Sequence, residues 1–117
     1  MSVPTGLSRK AKKTRRASER QEHKIAKDIG GRRQPGSGGG PWNKDDVRKE
    51  GKFRVEAKMT SKKSFSVKRS DLAKVRGHCE LGEVPLMQIQ FTDEQRNVEE
   101  QWVVIPYDYW RHKVKEE

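Results

Sequence analysis

Alternation of apolar and polar residues is the clearest structural signal in this chain, and it predicts short strands. In the stretch RVEAKM, residues 54–59, three apolar residues alternate with three charged ones. Because strand side chains point to opposite faces with a period of two, Glu56 and Lys58 are expected to share one face. The Glu-Gly dipeptide at 50–51 is a turn signal that pairs this strand, residues 52–59, with a shorter strand before it.

The other apolar positions predict helices on either side of these strands. A stripe at Ile25, Ala26 and Ile29 indicates a helix that begins near Ser18 and stops at the glycine pair at 30–31. The remaining predicted elements are a strand at 64–67, a helix from an N-cap at Ser70 to about Leu81, strands at 85–91 and 101–105, and a short helix that starts at Pro106. This order predicts an α/β fold with a mixed central β-sheet flanked by helices.

Composition indicates a small folded unit with a thin core. The chain has 117 residues, of which 30% are hydrophobic and 38% are charged. Little apolar surface is therefore available for burial, and a partner subunit is expected. Residues 1–17 are predicted to form a flexible basic N-terminal arm, and residues 18–117 a single folded domain.

Positive charge is concentrated near the N-terminal end. The net charge is +10, and residues 1–33 contribute +8 of it through eleven basic and three acidic residues. This arm favours a polyanionic partner, and nucleic acid is expected in preference to a merely solvated tail. No apolar run reaches the roughly 18 residues of a membrane span, and the N-terminus lacks the apolar core of a secretory signal. With Cys79 as the single cysteine, these features predict a cytoplasmic protein without a membrane partner.

A glycine-rich loop follows the first predicted helix. The sequence RRQPGSGGGPWN, residues 32–43, joins two arginines to a backbone that can approach a phosphate closely. A DNA contact is the preferred interpretation, and a linker is the alternative. His23, His78 and Cys79 lack zinc-site spacing, so they are expected to be ordinary surface or core residues.

Acidic residues from three predicted elements are expected to meet at Glu56. The turn brings Asp45 or Asp46 opposite Glu56, and the first helix supplies Glu22, which precedes the apolar stripe by three, four and seven residues, or Glu19. Clustered carboxylates repel one another unless a cation offsets them, and Mg²⁺ usually takes one or two carboxylates plus a substrate phosphate. A metal that activates water, with a lysine beside it, supplies the parts needed to hydrolyse a phosphodiester.

The ordered set of motifs resembles the PD-(D/E)XK nuclease superfamily and, within it, the small Holliday junction resolvases of archaea and bacteriophages. The residues that carry the resemblance are Glu22, the loop RRQPGSGG, Asp46 in KDDV, Glu56-Ala57-Lys58, and the segment KMTSKKSFSVKRSDLAKV. The resemblance covers residues 18–105 approximately.

The resemblance implies a restriction-endonuclease-like core and a Mg²⁺-dependent endodeoxyribonuclease, with Mn²⁺ as a substitute metal, that resolves four-way DNA junctions. It implies metal ligation by Asp46, Glu56 and Glu22, with Lys58 as the catalytic lysine and Ser37 in support of phosphate cleavage. The expected DNA contacts are Arg15, Arg16, Arg20, Arg32, Arg33, Lys62 and Lys63.

The resemblance also implies a homodimer that cuts two opposing strands, since two sites related by a two-fold axis suit a four-way branch point. The expected setting is the cytoplasm of a bacterial or archaeal cell, with a phage-encoded origin as an alternative. Two other functions stay open. One is a different PD-(D/E)XK nicking or repair nuclease, and the other is a non-catalytic basic DNA-binding module.

Overall fold

The computed structural model describes residues 9–34 and 46–116, with side chains from residue 14 onward in the first range. The elements are α1 (Arg9–Ile29), β1 (Arg32–Arg33), β2 (Val47–Lys49), β3 (Phe53–Thr60), α2 (Arg69–His78), β4 (Val84–Thr92), β5 (Val98–Val104) and α3 (Tyr107–Lys115). Within these ranges the protein is an α/β fold of three helices and one five-stranded mixed sheet, which confirms the predicted fold at this level. None of the described helices is long and apolar enough to cross a membrane.

The strands lie in chain order across the sheet, β1-β2-β3-β4-β5. The pairs β1–β2, β2–β3 and β4–β5 are antiparallel, whereas β3 and β4 are parallel. Parallel neighbours need a long connection, and α2 provides it between β3 and β4. The sheet is therefore mixed because one helical crossover interrupts a series of antiparallel neighbours.

Helix α1 packs on one face of the sheet and fixes the β2–β3 hairpin. Val47 pairs with Val55, and both side chains are fully buried in a cluster with Ile25 and Ala26 of α1. Because Val55 faces α1, its neighbour Glu56 faces the other side of β3, as the alternation predicts. The core of the hairpin therefore determines which side chains of β3 are available for chemistry.

Glycines at positive φ shape the two turns that flank this core. Gly30 has a φ of 71° and ends α1, and the N–H of Gly31 donates a hydrogen bond of 2.8 Å to the carbonyl of Ala26. This six-to-one bond is the Schellman arrangement of a helix C-terminus. Gly51, with a φ of 73°, lies in the turn between β2 and β3. Both turns confirm the predicted breakpoints.

The first helix is longer than predicted. It begins at Arg9, so the prediction of a start near Ser18 is wrong, and residues 9–17 belong to a helix. The lysines, arginines and two alanines of this stretch have high helix propensity, and Ala17 is also buried. A salt bridge of 3.2 Å between Arg15 and Glu19, one turn apart, adds local support. Residues 1–8 of the predicted arm lie outside the described residues.

Two other predicted elements differ from the structure. Residues 64–67 form no strand, because both neighbouring positions beside β3 are taken by β2 and β4; the additional strand is β1. Helix α2 begins at Arg69 with Lys68 at its N-cap, so Ser70 is not the cap. The two later strands and the C-terminal helix were predicted correctly, with boundaries that differ by up to three residues.

A buried ion network ties the hairpin to the start of β4. The Glu83 carboxylate is completely buried and accepts hydrogen bonds of 2.8 Å from Arg48 of β2 and Arg54 of β3. It also accepts bonds from the backbone N–H groups of Gly51 and Glu80. Burial opposes ionisation of Glu83, but these hydrogen bonds outweigh burial and lower its pKa to about 2.

Candidate active site

A cleft opens where β2 stops covering β3. Towards the C-terminal end of β3, the last residue pair of the two strands is Val47–Val55, so the edge of β3 beyond Val55 has no β2 residue beside it. Asp46 lies at this point, and its Oδ2 accepts a hydrogen bond of 2.8 Å from the backbone N–H of Ala57. The carboxylate is thus held against the first part of β3 that β2 leaves uncovered.

Four of the residues predicted to be catalytic line this one cleft, which has a volume of about 310 Å³. They are Glu22, Asp46, Glu56 and Lys58. Other residues of the lining are Thr14, Ser18, Gln21, Ala57, Met59 and Arg96. The remaining predicted catalytic residue, Ser37, lies outside the described residues, as does the alternative acid Asp45.

Between the two helical acids, the structure brings Glu22 to the cleft. Its residue is 8% exposed, and its Oε1 accepts a hydrogen bond of 3.0 Å from Nε of Arg33. Burial raises the pKa of Glu22, the nearby Asp46 carboxylate raises it further, and the bond from Arg33 opposes both effects. Glu19 instead pairs with Arg15 on the outer surface of α1.

The ammonium group of Lys58 lies between two carboxylates. Its Nζ is 3.5 Å from Oε1 of Glu56 and 3.8 Å from Oδ2 of Asp71, in the first turn of α2. Asp71 is not among the site residues predicted from the sequence, because an acid near a helix N-terminus is common for reasons of helix dipole alone. Its signal was weak: only the crossover through α2 brings it back to β3.

Gln21 is a cleft residue that was not predicted from the sequence. Its Nε2 donates hydrogen bonds of 2.8 Å to the backbone carbonyl of Lys58 and 2.6 Å to Oε1 of Gln88. The side chain is nearly inaccessible to solvent, so these bonds join α1 to both central strands. A signal existed in the sequence: Gln21 precedes Ile25 by four residues and is a polar residue on the apolar stripe.

The carboxylates of the cleft decide whether the predicted Mg²⁺ could be held there. Within residues 9–34 and 46–116, no group of three or more His, Cys, Asp or Glu side chains is arranged to hold a metal ion. Asp46 and Glu56 nevertheless supply two carboxylates on one wall, with Glu22 close enough for its pKa to respond to Asp46. Two carboxylates fit a hard cation that completes its shell with water and substrate phosphate.

Most of the predicted DNA-contacting cations are accessible. Arg15, Arg16 and Arg20 are on α1, Arg32 is on β1, and Lys62 and Lys63 follow β3. All six of these residues are exposed. The seventh predicted contact, Arg33, is half-buried: it is hydrogen-bonded to Glu22 and makes a contact of 3.2 Å with His23. Arg33 therefore orders the cleft side of α1 in addition to carrying charge.

No protein-family model matches the chain, and no curated protein or solved structure matches it either. Function must therefore be inferred from the residues of the cleft themselves. The cleft lining combines three carboxylates, one lysine and one arginine with the smaller apolar contribution of Ala57 and Met59, within a chain of net charge +10.

Proposed function

We propose that this protein is a metal-dependent DNA endonuclease with a PD-(D/E)XK-type core, and that its substrate is the four-way junction. The observation that carries the proposal is the convergence of Glu22, Asp46, Glu56 and Lys58 on one cleft. These residues come from α1, the position just before β2 and the middle of β3. Their proximity therefore results from the fold and not from closeness in the sequence.

Asp46 and Glu56 are the residues that would hold Mg²⁺ or Mn²⁺. When bound, such an ion supplies an activated water and offsets negative charge on the phosphate. The hydrogen bond from the Ala57 N–H to Asp46 fixes one carboxylate oxygen and thereby the direction of the other. This pre-orientation lowers the cost of assembling the site around a substrate.

Lys58 has the geometry of an electrostatic catalyst. Its ammonium group lies between the carboxylates of Glu56 and Asp71, which hold it at the cleft. From there it can donate hydrogen bonds to the attacking water or to a phosphate oxygen that gains charge in the transition state. The water oxygen bonds to phosphorus while the bond from phosphorus to the leaving sugar oxygen breaks. Ser37 belongs to the proposal through the resemblance alone.

Two cleavage sites are needed to resolve a four-way junction, and we propose a homodimer as the active form. Large hydrophobic side chains lie exposed on β5 and α3: Trp102 is 59% exposed, Tyr107 67%, Trp110 48% and Val114 47%. On α3 the last three share one helical face, at spacings of three and four. Burial of this face against a second copy would enlarge the thin core of the single chain.

The alternatives make different products. A nicking or repair nuclease of the same superfamily would cut flaps, mismatches or plain duplex as well as junctions. A non-catalytic basic module would bind DNA and cut none of these. The carboxylates and lysine of the cleft favour an enzyme, and we propose a cytoplasmic location in a bacterial or archaeal cell, or in one infected by a phage.

A panel of end-labelled substrates tests the proposed substrate class. The protein is incubated with four-way junction, flap, mismatched duplex and plain duplex, each with Mg²⁺. We expect symmetric nicks in opposing strands of the junction and much slower cutting of the other three. Equal cutting of all four substrates would contradict junction selectivity, and binding without any cutting would favour the non-catalytic module.

A further inference from the structure

We propose that a second groove, adjoining the cleft, binds the sugar–phosphate backbone of the DNA strand that leaves the cleft. This inference rests on the proposed function, since it takes the cleft as the place of cleavage. The groove has a volume of about 390 Å³ and lies between α1 and the β4–β5 hairpin. Its polar lining residues are Arg20, Gln21, Lys24, Gln90, Arg96 and Gln101.

Charge is the first feature that suits this groove to a phosphate backbone. Its lining contains three cationic side chains and no carboxylate. Lys24 is partly neutralised by its salt bridge of 2.7 Å to Asp28, one turn along α1, so Arg20 and Arg96 are the stronger candidates for phosphate contacts. Guanidinium groups suit this task because they present several donors in a fixed plane to phosphate oxygens.

The wall of the groove is polar where a helix normally packs on apolar strand residues. Gln90 of β4 lines the groove, and Gln88 and Thr92 are buried on the same face of the strand without lining it. Gln90 accepts a hydrogen bond of 2.9 Å from Gln101 of β5, and Gln88 accepts one from Gln21 of α1. A lining of amides keeps the groove hydrated and supplies neutral polar groups for sugar and phosphate oxygens.

Arg96 joins this groove to the cleft, because its side chain lines both. Its φ is 69°, the one positive φ of a non-glycine residue in the described ranges. The loop holds this conformation through Asp93, whose Oδ1 accepts bonds from the N–H groups of Gln95 and Asn97. The N–H of Arg96 itself donates to the Asp93 carbonyl at 3.1 Å. A disfavoured backbone conformation persists only where its surroundings determine it.

The guanidinium of Arg96 points across the junction of the two cavities. Its Nη2 donates a hydrogen bond of 3.4 Å to Oγ1 of Thr14 on α1, a neutral partner at long distance. A phosphate oxygen is a much stronger acceptor for a guanidinium than a hydroxyl is. A strand whose scissile phosphate lies at Glu56 and Lys58 can therefore continue past Arg96 and along Arg20.

The test measures DNA binding separately from cleavage. Affinity for a four-way junction is determined without divalent metal over a series of salt concentrations, for wild type, Arg96→Gln, Arg96→Lys and Arg20→Gln. The control is Lys115→Ala, which removes an exposed cation of α3. Helix α3 lies away from the groove, because its Tyr109 contacts Phe53 at the start of β3. Melting temperatures show which variants are folded, and Arg20→Gln, on an exposed helix surface, does not depend on the strained loop.

We expect Arg96→Gln and Arg20→Gln each to weaken binding roughly tenfold and to reduce the slope of log affinity against log salt by about one. Arg96→Lys should recover most of the slope, and Lys115→Ala should match wild type. If both glutamine variants keep the affinity and slope of Lys115→Ala, the groove does not hold the strand and the inference is overturned. If they lose affinity as expected while wild type never cuts with Mg²⁺, the groove inference stands and the proposed nuclease activity fails.

Discussion

Replacement of Glu83 by glutamine is expected to lower the free energy of unfolding more than the same replacement of any surface glutamate would. The side chain of Glu83 is completely buried and joins Arg48 of β2 to Arg54 of β3. The hairpin between those strands carries Asp46 and Glu56 to the cleft. The change removes one negative charge from two arginines and leaves the shape of the side chain almost unaltered.

The magnitude follows from the pKa of Glu83. It falls from 4.5 to about 2 in the folded protein, and a shift of this size corresponds to about 3 kcal/mol of stability for the ionised form. Because the folded pKa is depressed, this stability is fully present above pH 4.5 and is lost as pH falls through about 2. Breaking one partner of a buried ion pair typically costs a similar 3–5 kcal/mol, approximately.

Urea denaturation at pH 7, and then at steps down to pH 2, measures this contribution. Glu80→Gln is the matched control, because Glu80 contacts the same two arginines but its side chain is 67% exposed. We expect Glu83→Gln to lower the free energy of unfolding by about 3 kcal/mol at pH 7, and Glu80→Gln by less than about 1 kcal/mol. The gap between Glu83→Gln and wild type should shrink towards pH 2. Equal stability of the two variants at pH 7 would refute the assigned network, and so would a gap that does not change with pH.

Two further predictions concern residues that act through the cleft or the exposed face. Asp71→Asn is expected to lower the cleavage rate at saturating junction without weakening junction binding, because Lys58 loses one of its two orienting carboxylates. Asp108→Asn, on α3, is the control. A wild-type cleavage rate in Asp71→Asn would contradict the role of Asp71. Trp110→Glu is expected to convert a dimer to a monomer in sedimentation experiments, whereas Leu81→Glu, at a fully exposed residue, should leave the dimer intact; a monomeric wild type would contradict the proposed interface.

The elements that could be predicted from sequence are those fixed by local signals. The strand alternation at Val55 and Glu56, the Gly51 turn and the Gly30 stop depend on residues within one turn or one hairpin. The same local logic set Asp45 or Asp46 opposite Glu56. In the structure Val47 pairs with Val55, and Asp46 accepts a bond from the Ala57 N–H, whereas Asp45 lies outside the described residues.

The missed features depend on contacts between residues distant in the chain. The start of α1 differs from the prediction because a stretch without an apolar stripe can still be helical: its lysines, arginines and alanines have high helix propensity, and Thr14 and Ala17 also make tertiary contacts. Asp71 reaches Lys58 only through the α2 crossover, and Glu83 reaches Arg48 across 35 residues. Gln21 could have been noticed as a polar residue on an apolar stripe, but its partner Gln88 could not.

Cleavage of a labelled four-way junction by wild type and by Asp46→Asn, with and without Mg²⁺, tests the central claim most directly. Asp108→Asn, at an exposed acid on α3 that pairs with Arg111, is the matched control. We expect symmetric nicks from wild type and Asp108→Asn only with Mg²⁺, and binding without cutting from Asp46→Asn. Cutting that needs no metal, or an Asp46→Asn variant that cuts at the wild-type rate, would contradict the central claim.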